Sequence, residues 1–207
     1  MCIRDSPKGV MIEHRGLVNY CVDAVRLFGL TAADTVLQQN TLNFDLSVEE
    51  IFPALLAGAT LAPTRQLFGS AQLQSNGDIR PTFLHLTAAH WHTLAAEWHN
   101  TPALARDLLR DVRLINVTGD ALSTQKLQMW DAIRPPHTQL INTYGPTEAT
   151  VSCTAAYMKY DAACGNATIG TPMANTRIYL LDGHRQPVPF GVAGEIFIGA
   201  RVWRVVT

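Results

Sequence analysis

Several things are scarce in this chain, and each scarcity closes off a class of function. Charge has no surplus of either sign: 16 Lys and Arg against 17 Asp and Glu leave a net charge of -1 over 207 residues. A basic face for nucleic acid is therefore not expected. Cysteine is sparse, and Cys2, Cys21, Cys153 and Cys164 are scattered without a Cys-x-x-Cys pair. That argues against a zinc site or a disulfide framework and suits reduced thiols in a cytoplasmic protein. Long apolar runs are missing too: no stretch approaches a membrane span, and the amino-terminal residues lack a signal-peptide core. His90 and His92, two apart on a helical stretch, face different ways and make no metal pair. There is no Gly-x-Gly-x-x-Gly, Walker A loop, Gly-x-Ser-x-Gly elbow or catalytic triad. What remains, 47% hydrophobic and 16% charged, is an ordinary globular composition able to bury one core or parts of two.

The apolar residues that are present alternate between two periods. Leu17, Tyr20, Cys21, Ala24, Val25, Leu27 and Phe28 recur at helical spacing and Gly29 follows as a C-cap, so residues 13–28 are predicted helical. Further helices are expected at 46–57, opened by a Ser47-x-x-Glu50 capping box, at 87–98 and at 123–133, where Pro135-Pro136 stops the last. Short strands are expected at 35–39, 59–62, 82–86 and 113–118, with another leading into residue 141. This alternation predicts an α/β fold, a mainly parallel sheet with flanking helices. Beyond Thr150 the strands at 151–157, 176–181 and 195–198, joined by turns such as Gly170-Thr171-Pro172, predict a β-rich, barrel-like segment. Trp91, Trp98 and Trp130 read as packing residues.

One heptapeptide carries the chemistry. Asn142-Thr143-Tyr144-Gly145-Pro146-Thr147-Glu148 follows an apolar run, and Gly145-Pro146 forces a turn there. A strand stopping at such a corner presents its next side chains at its carboxyl end, where open α/β sheets bind ligands. A tyrosine ring can stack on a purine, a threonine hydroxyl can bond a phosphate oxygen, and a glutamate can hold Mg²⁺ beside it. Asp45 and Glu49, four apart at a predicted helix start, can share one face. Thr118-Gly119-Asp120-Ala121-Leu122 lies between a strand and a helix, with Gly119 permitting close backbone approach; Asp120 reads equally as a helix cap.

The heptapeptide resembles the Asn-x-Tyr-Gly-Pro-Thr-Glu motif of adenylate-forming enzymes, in particular the amino-acid adenylation domains of nonribosomal peptide synthetases. The resemblance runs from Pro7 to Gly199. Phe44-Asp45 is similar to the family's Phe-Asp, Gly119-Asp120-Ala121-Leu122 to part of its Gly-Gly-Glu-Ala-Leu, and Gly194-Glu195-Ile196-Phe197-Ile198-Gly199 to its Gly-Glu-Leu-x-Ile-x-Gly. Lys8 resembles the lysine closing the family's phosphate loop, but the glycine-rich part of that loop is absent before Pro7. Residues 1–6 therefore read as a non-family leader, 7–149 as the α/β subdomain of an adenylation domain, 150–199 as part of a β-rich subdomain and 200–207 as an off-pattern end. The expected fold is an internal fragment of the large amino-terminal part of such an enzyme.

The resemblance implies activation of an amino acid by ATP: its carboxylate attacks the α-phosphate, giving aminoacyl-AMP and pyrophosphate. The acyl group then passes to the phosphopantetheine thiol of a peptidyl carrier protein, with condensation domains as further partners in the parent synthetase. It implies ATP and Mg²⁺ as cofactors, Thr147, Glu148 and Lys8 as catalytic residues, and Glu148 as the metal ligand. Gly119, Asp120, Ala121, Asn142, Tyr144, Gly145, Thr147 and Glu148 would contact the nucleotide. The substrate pocket would comprise Asp45, Leu46, Glu49, His85, Asn116, Thr118, Thr143, Val151 and Ser152. Asp45 would pair with the substrate α-ammonium. Glu49 would favour a second ammonium, as in pockets assigned to 2,4-diaminobutyrate, with ornithine and lysine one or two methylenes away. Two alternatives remain: an acyl- or aryl-CoA ligase of the same superfamily, and a catalytically inactive nucleotide-binding remnant. The isolated chain is expected to be inactive, since the family's carboxyl-terminal lysine has no counterpart in it.

Overall fold

The computed structural model describes residues 9–70, 79–162 and 167–200. Lys8, Cys2, Cys164 and the off-pattern residues 201–207 lie outside them. Its centre is a sheet of order β2-β1-β3-β4-β5-β6-β7. The parallel part comprises β1 (Thr35–Gln38), β2 (Thr60–Pro63), β3 (Phe83–Thr87), β4 (Leu114–Thr118) and β5 (Gln139–Tyr144). β6 (Thr154–Tyr157) and β7 (Thr171–Pro172) add to it antiparallel. A separate antiparallel pair is formed by β8 (Thr176–Leu181) and β9 (Glu195–Ala200). The fold is thus α/β with a mainly parallel sheet followed by antiparallel strands.

Because side chains alternate along a strand, each central strand feeds two cores. Val36, Phe83, Leu114 and Ile141 face α1 (His14–Phe28) and α2 (Leu46–Leu56), against Tyr20, Ala24, Phe28 and Ala54. Leu37, Leu84, Ile115 and Leu140 face the opposite way, toward α3 (Ala88–Asn100), α4 (Pro102–Leu108) and α5 (Thr124–Ile133). Trp91, Trp98 and Trp130 are fully buried in that second core, Trp98 and Trp130 with ring centroids 5.9 Å apart. Their burial agrees with the packing role expected of them.

The same alternation positions the site. On the α1/α2 face, two residues beyond Phe83, Leu114 and Ile141, stand His85, Asn116 and Thr143, each at most 1% exposed. An apolar row at the amino end of the sheet therefore gives way to a polar row toward its carboxyl end. The amino end is tied by Asp34, which accepts from Arg113 Nε at 2.7 Å, from Nη2 at 2.9 Å and from the Thr82 hydroxyl at 2.6 Å. Burial by itself would raise the Asp34 pKa, but the Arg113 and Thr82 bonds overturn it and hold the carboxyl at about 2.

Several local expectations are corrected. The Ser47-x-x-Glu50 capping box does not form: Ser47 Oγ donates to the Phe44 carbonyl at 2.7 Å, and Asp45 precedes the first helical residue without a side-chain cap bond. Glu50 turns inward, where it accepts from Asn40 Nδ2 and Gln38 Nε2. The strand expected from Val151 begins at Thr154, because Thr150 and Val151 have φ of 60° and 70°, incompatible with a strand. Thr171-Pro172, expected in a turn, forms the short edge strand β7, and α4 was not anticipated. Among the described residues no helix is long and apolar enough to cross a membrane.

Candidate functional site

The carboxyl ends of β4 and β5 open side by side. After β4, Gly119 takes φ 98°, and a side chain added there would meet no heavy atom within 4 Å. Gly119, Asp120 and Ala121 are all exposed, so this loop offers backbone to an approaching ligand. Asp120 Oδ1 accepts from the Ala121 N–H at 2.7 Å, whereas α5 is capped by Ser123, whose hydroxyl accepts from the Lys126 N–H at 3.4 Å. The cap reading of Asp120 is therefore set aside. After β5, Tyr144 is 38% exposed, and Thr147 and Glu148 stand out on a single 3-10 turn, Thr147–Ala149. Asn142 is buried, and its Nδ2 donates to the Thr168 carbonyl at 2.8 Å.

Gly145 is fixed by what lies behind it. A Cβ there would sit 2.7 Å from Ser152 Cα and from the Val151 carbonyl oxygen, and 2.8 Å from Cys153 N. Only glycine allows the chain to double back so tightly, with Cys153 N–H donating to the Tyr144 carbonyl at 2.8 Å. The reversal passes through Thr150 and Val151, both β-branched and both at positive φ. Such a conformation is costly for these residues and persists only where its surroundings enforce it, as at ligand sites. Its effect is to turn Val151 and Ser152 back, buried, against α1 and α2.

Beneath this corner lies a dry polar cluster. Glu49 is fully buried; one carboxylate oxygen accepts from the Tyr20 hydroxyl. The other accepts from Asn116 Nδ2 at 2.9 Å and lies 2.9 Å from His85 Nε2. The Thr143 hydroxyl donates to Asn116 Oδ1 at 3.0 Å, and that of Thr118 to the Thr143 carbonyl at 2.7 Å. Burial lowers the His85 pKa, but Glu49 and, more weakly, Glu50 outweigh it, and the net shift is upward. Burial first, then the Glu49 charge, push Tyr20 well above the usual phenol range. The cluster is therefore a carboxylate, a histidine biased toward its charged form and a neutral tyrosine.

Asp45, one helical turn above Glu49, is half-buried and opens into a pocket of about 160 Å³. Ile12, His14, Leu17, Val48, Thr147 and Val151 also line it. One cavity thus joins the expected ammonium partner to the expected phosphate-side threonine. Leu46 is half-buried beside Asp45 at the helix start. Two members went unnoticed in the sequence: Tyr20 was counted as one more apolar helical position, and Glu50 as half of a capping box. A buried tyrosine needs a hydroxyl partner, which is the one signal that could have linked Tyr20 to an acid.

No group of three or more His, Cys, Asp or Glu side chains able to hold a metal occurs among the described residues. The exposed Thr147 hydroxyl and Glu148 carboxylate are nevertheless hard oxygen donors that fit Mg²⁺ completed by phosphate and water.

Comparison with known proteins agrees with this geometry. The family model described as AMP-binding enzyme matches residues 6–202. A linear gramicidin synthase subunit of Brevibacillus parabrevis is 40% identical over 198 residues, covering 94% of this chain. Bacitracin synthase 3 of Bacillus licheniformis is 37% identical over 93% of it. The chain spans only 2% and 3% of the lengths of these two relatives. Among solved structures, the nonribosomal peptide synthetase FmoA3 in its alpha-methyl-L-serine-AMP bound form superposes with a TM-score of 0.83 at 29% identity. That match covers 97% of this chain and 23% of FmoA3. The N-terminal subdomain of Klebsiella oxytoca NpsA, in complex with 3-hydroxyanthranilyl-AMSN, shares the fold: TM-score 0.76 at 22% identity, over 94% of this chain and 49% of that one.

Proposed function

Since the chain belongs to the AMP-binding enzyme family, we propose that it forms the substrate side of an amino-acid adenylation site in a nonribosomal peptide synthetase, with a diamino acid such as 2,4-diaminobutyrate as its substrate. The observation that carries this reading is the stacking of three features at one sheet edge. An open Gly119 loop and the exposed Tyr144–Glu148 corner lie at the surface, Asp45 lines the pocket that Thr147 shares, and a buried Glu49 lies one helical turn deeper.

In this reading the adenine lies along Gly119, Asp120 and Ala121 and against the Tyr144 ring, while Asn142 and Gly145 shape the corner from behind. Thr147 hydrogen-bonds phosphate, and Glu148 holds Mg²⁺, which offsets phosphate charge when bound. Asp45 takes the substrate α-ammonium, which selects amino acids over plain carboxylic acids. Leu46, His85, Asn116, Thr118, Thr143, Val151 and Ser152 wall the side-chain pocket, and Glu49 supplies the charge for a second ammonium. Lys8 serves the phosphates. Catalysis consists of aligning the amino-acid carboxylate with the α-phosphate; no protein nucleophile is needed. The activated acyl group then goes to a carrier-protein phosphopantetheine, with condensation domains as the neighbouring partners.

The nucleotide half is tested by titrating AMP into the chain and into Tyr144→Ala. The ring is already exposed, so its loss should leave thermal stability unchanged. Binding should weaken roughly 5- to 150-fold, the worth of one base–aromatic stack. Equal AMP affinity in both proteins would remove Tyr144 from the site.

A further inference from the structure

The polar cluster has a property that the pocket reading does not use: Glu49 has no free acceptor. Its first oxygen is held by Tyr20 and its second by both Asn116 and His85, and all four side chains are excluded from solvent. A second ammonium cannot be added to this carboxylate unless one of the present partners yields. Neither Tyr20 nor Asn116 carries a charge to give up. His85 does.

We infer that His85 is a specificity-determining positioning residue that exchanges its proton for the ligand: when a diamino acid binds, its second ammonium replaces the imidazolium as the counter-cation of Glu49, and His85 is left neutral. The inference rests on the reading of Glu49 as the partner of that ammonium. In the step, the Nε2–H bond of His85 breaks, its electron pair stays on nitrogen and the proton passes to solvent. The ligand ammonium then donates to Glu49. Nothing is oxidised or reduced, and the cavity carries the same net charge before and after.

The surroundings favour exchange over accumulation. Two cations beside one carboxylate in a dry interior repel each other strongly, and the ionisation easiest to reverse is that of histidine. The titratable groups facing His85 are Glu49 and Glu50 from α2, with Tyr20 and Cys21 of α1 close behind Glu49. β4 and β5 contribute only the uncharged Asn116 and Thr143. Glu50 offers no second seat. Its oxygens already accept from Asn40 Nδ2, the Gln39 and Asn40 N–H groups and Gln38 Nε2, and burial raises its pKa. Tyr20 and Cys21 are both shifted upward and stay neutral near pH 7.

The exchange makes binding sensitive to pH in a defined direction. Where His85 is charged in the free protein, each diamino acid bound releases one proton, so affinity rises about tenfold per pH unit. The rise levels off once pH passes the His85 pKa. Leucine carries the same α-ammonium but no second cation, so its affinity should not follow this profile.

The test is calorimetry of the chain with 2,4-diaminobutyrate and with leucine, in phosphate and in Tris, together with long-range proton–nitrogen spectra of the histidine rings. We expect one proton released with diaminobutyrate and none with leucine, and a His85 ring that passes from charged to neutral only with the former. His85→Gln, which can still donate to Glu49, should bind diaminobutyrate with no proton release and a flat pH profile. A His85 ring that is neutral in the free chain overturns the exchange, and this spectrum requires neither ligand nor variant. So does preferential binding of diaminobutyrate without proton release, an outcome that leaves the Glu49 reading intact. If diaminobutyrate and leucine bind alike and His85 does not respond, the Glu49 reading itself fails. If neither binds and His85 stays charged, the cavity is closed to a second cation and the exchange is overturned.

Discussion

Glu49→Gln should abolish the preference for a diamino acid while sparing binding of a neutral one. The substitution keeps the shape and the hydrogen-bonding reach of the side chain but removes the only charge aimed at the ligand's second ammonium. Breaking one half of a buried ion pair costs about 3 to 5 kcal/mol. A non-hydrolysable 2,4-diaminobutyryl-adenylate analogue should therefore bind roughly two to three orders of magnitude more weakly. The leucyl analogue should change by less than about threefold, since Asp45, the Gly119 loop and Tyr144 are untouched. Glu49→Ala should share the selective loss and be less stable as well, because His85 and Asn116 both lose their acceptor in the dry interior. Equal losses for the two analogues would mean that Glu49 is a structural acid only, and the assignment of a dibasic substrate would fall.

The second large effect is expected at Gly145. An added methyl there meets Ser152 Cα and the Val151 carbonyl at 2.7 Å, and these are backbone atoms of a segment already bent through two positive-φ residues. That segment has no slack with which to retreat. Gly145→Ala should cost about 3 kcal/mol, the upper range for overpacking a filled site. For a chain of this length that corresponds to a fall of roughly 6 to 12 °C in Tm. Gly183→Ala is the matched control, with no atom within 4 Å of the added carbon and no positive φ. If the two variants melt together, the tight reversal behind the Tyr144 corner is not what holds Val151 and Ser152 in place.

How much of this could be read from the sequence depended on how local each signal was. The positions of the central strands and flanking helices followed from apolar period and turn chemistry, and they agree with the structure to within a residue or two. The corner at Gly145-Pro146 was legible because glycine and proline act on their own backbone. The pocket positions taken from the resemblance do converge: Glu49, His85, Asn116 and Thr143 are bonded to one another, although they come from four different elements. What could not be read was which of two adjacent acids turns where. Glu49 and Glu50 are both fully buried, and only the packing of α2 on the sheet directs one to His85 and the other to Asn40. Thr150 and Val151 misled for the converse reason. Their β-branched side chains favour a strand, and the tertiary demand of the reversal overrides that preference. Tyr20 was hidden because its ring obeys the helical apolar pattern while its hydroxyl does not.

The measurement that bears most directly on the whole account is a calorimetric comparison of three acyl-adenylate analogues on the chain: 2,4-diaminobutyryl, leucyl and a fatty acyl. Asp45 and Glu49 acting together predict that the diaminobutyryl analogue binds most tightly, the leucyl analogue at least tenfold more weakly and the fatty acyl analogue weakest of all. Tightest binding of the fatty acyl analogue would contradict the amino-acid site and point instead to a ligase for plain carboxylic acids.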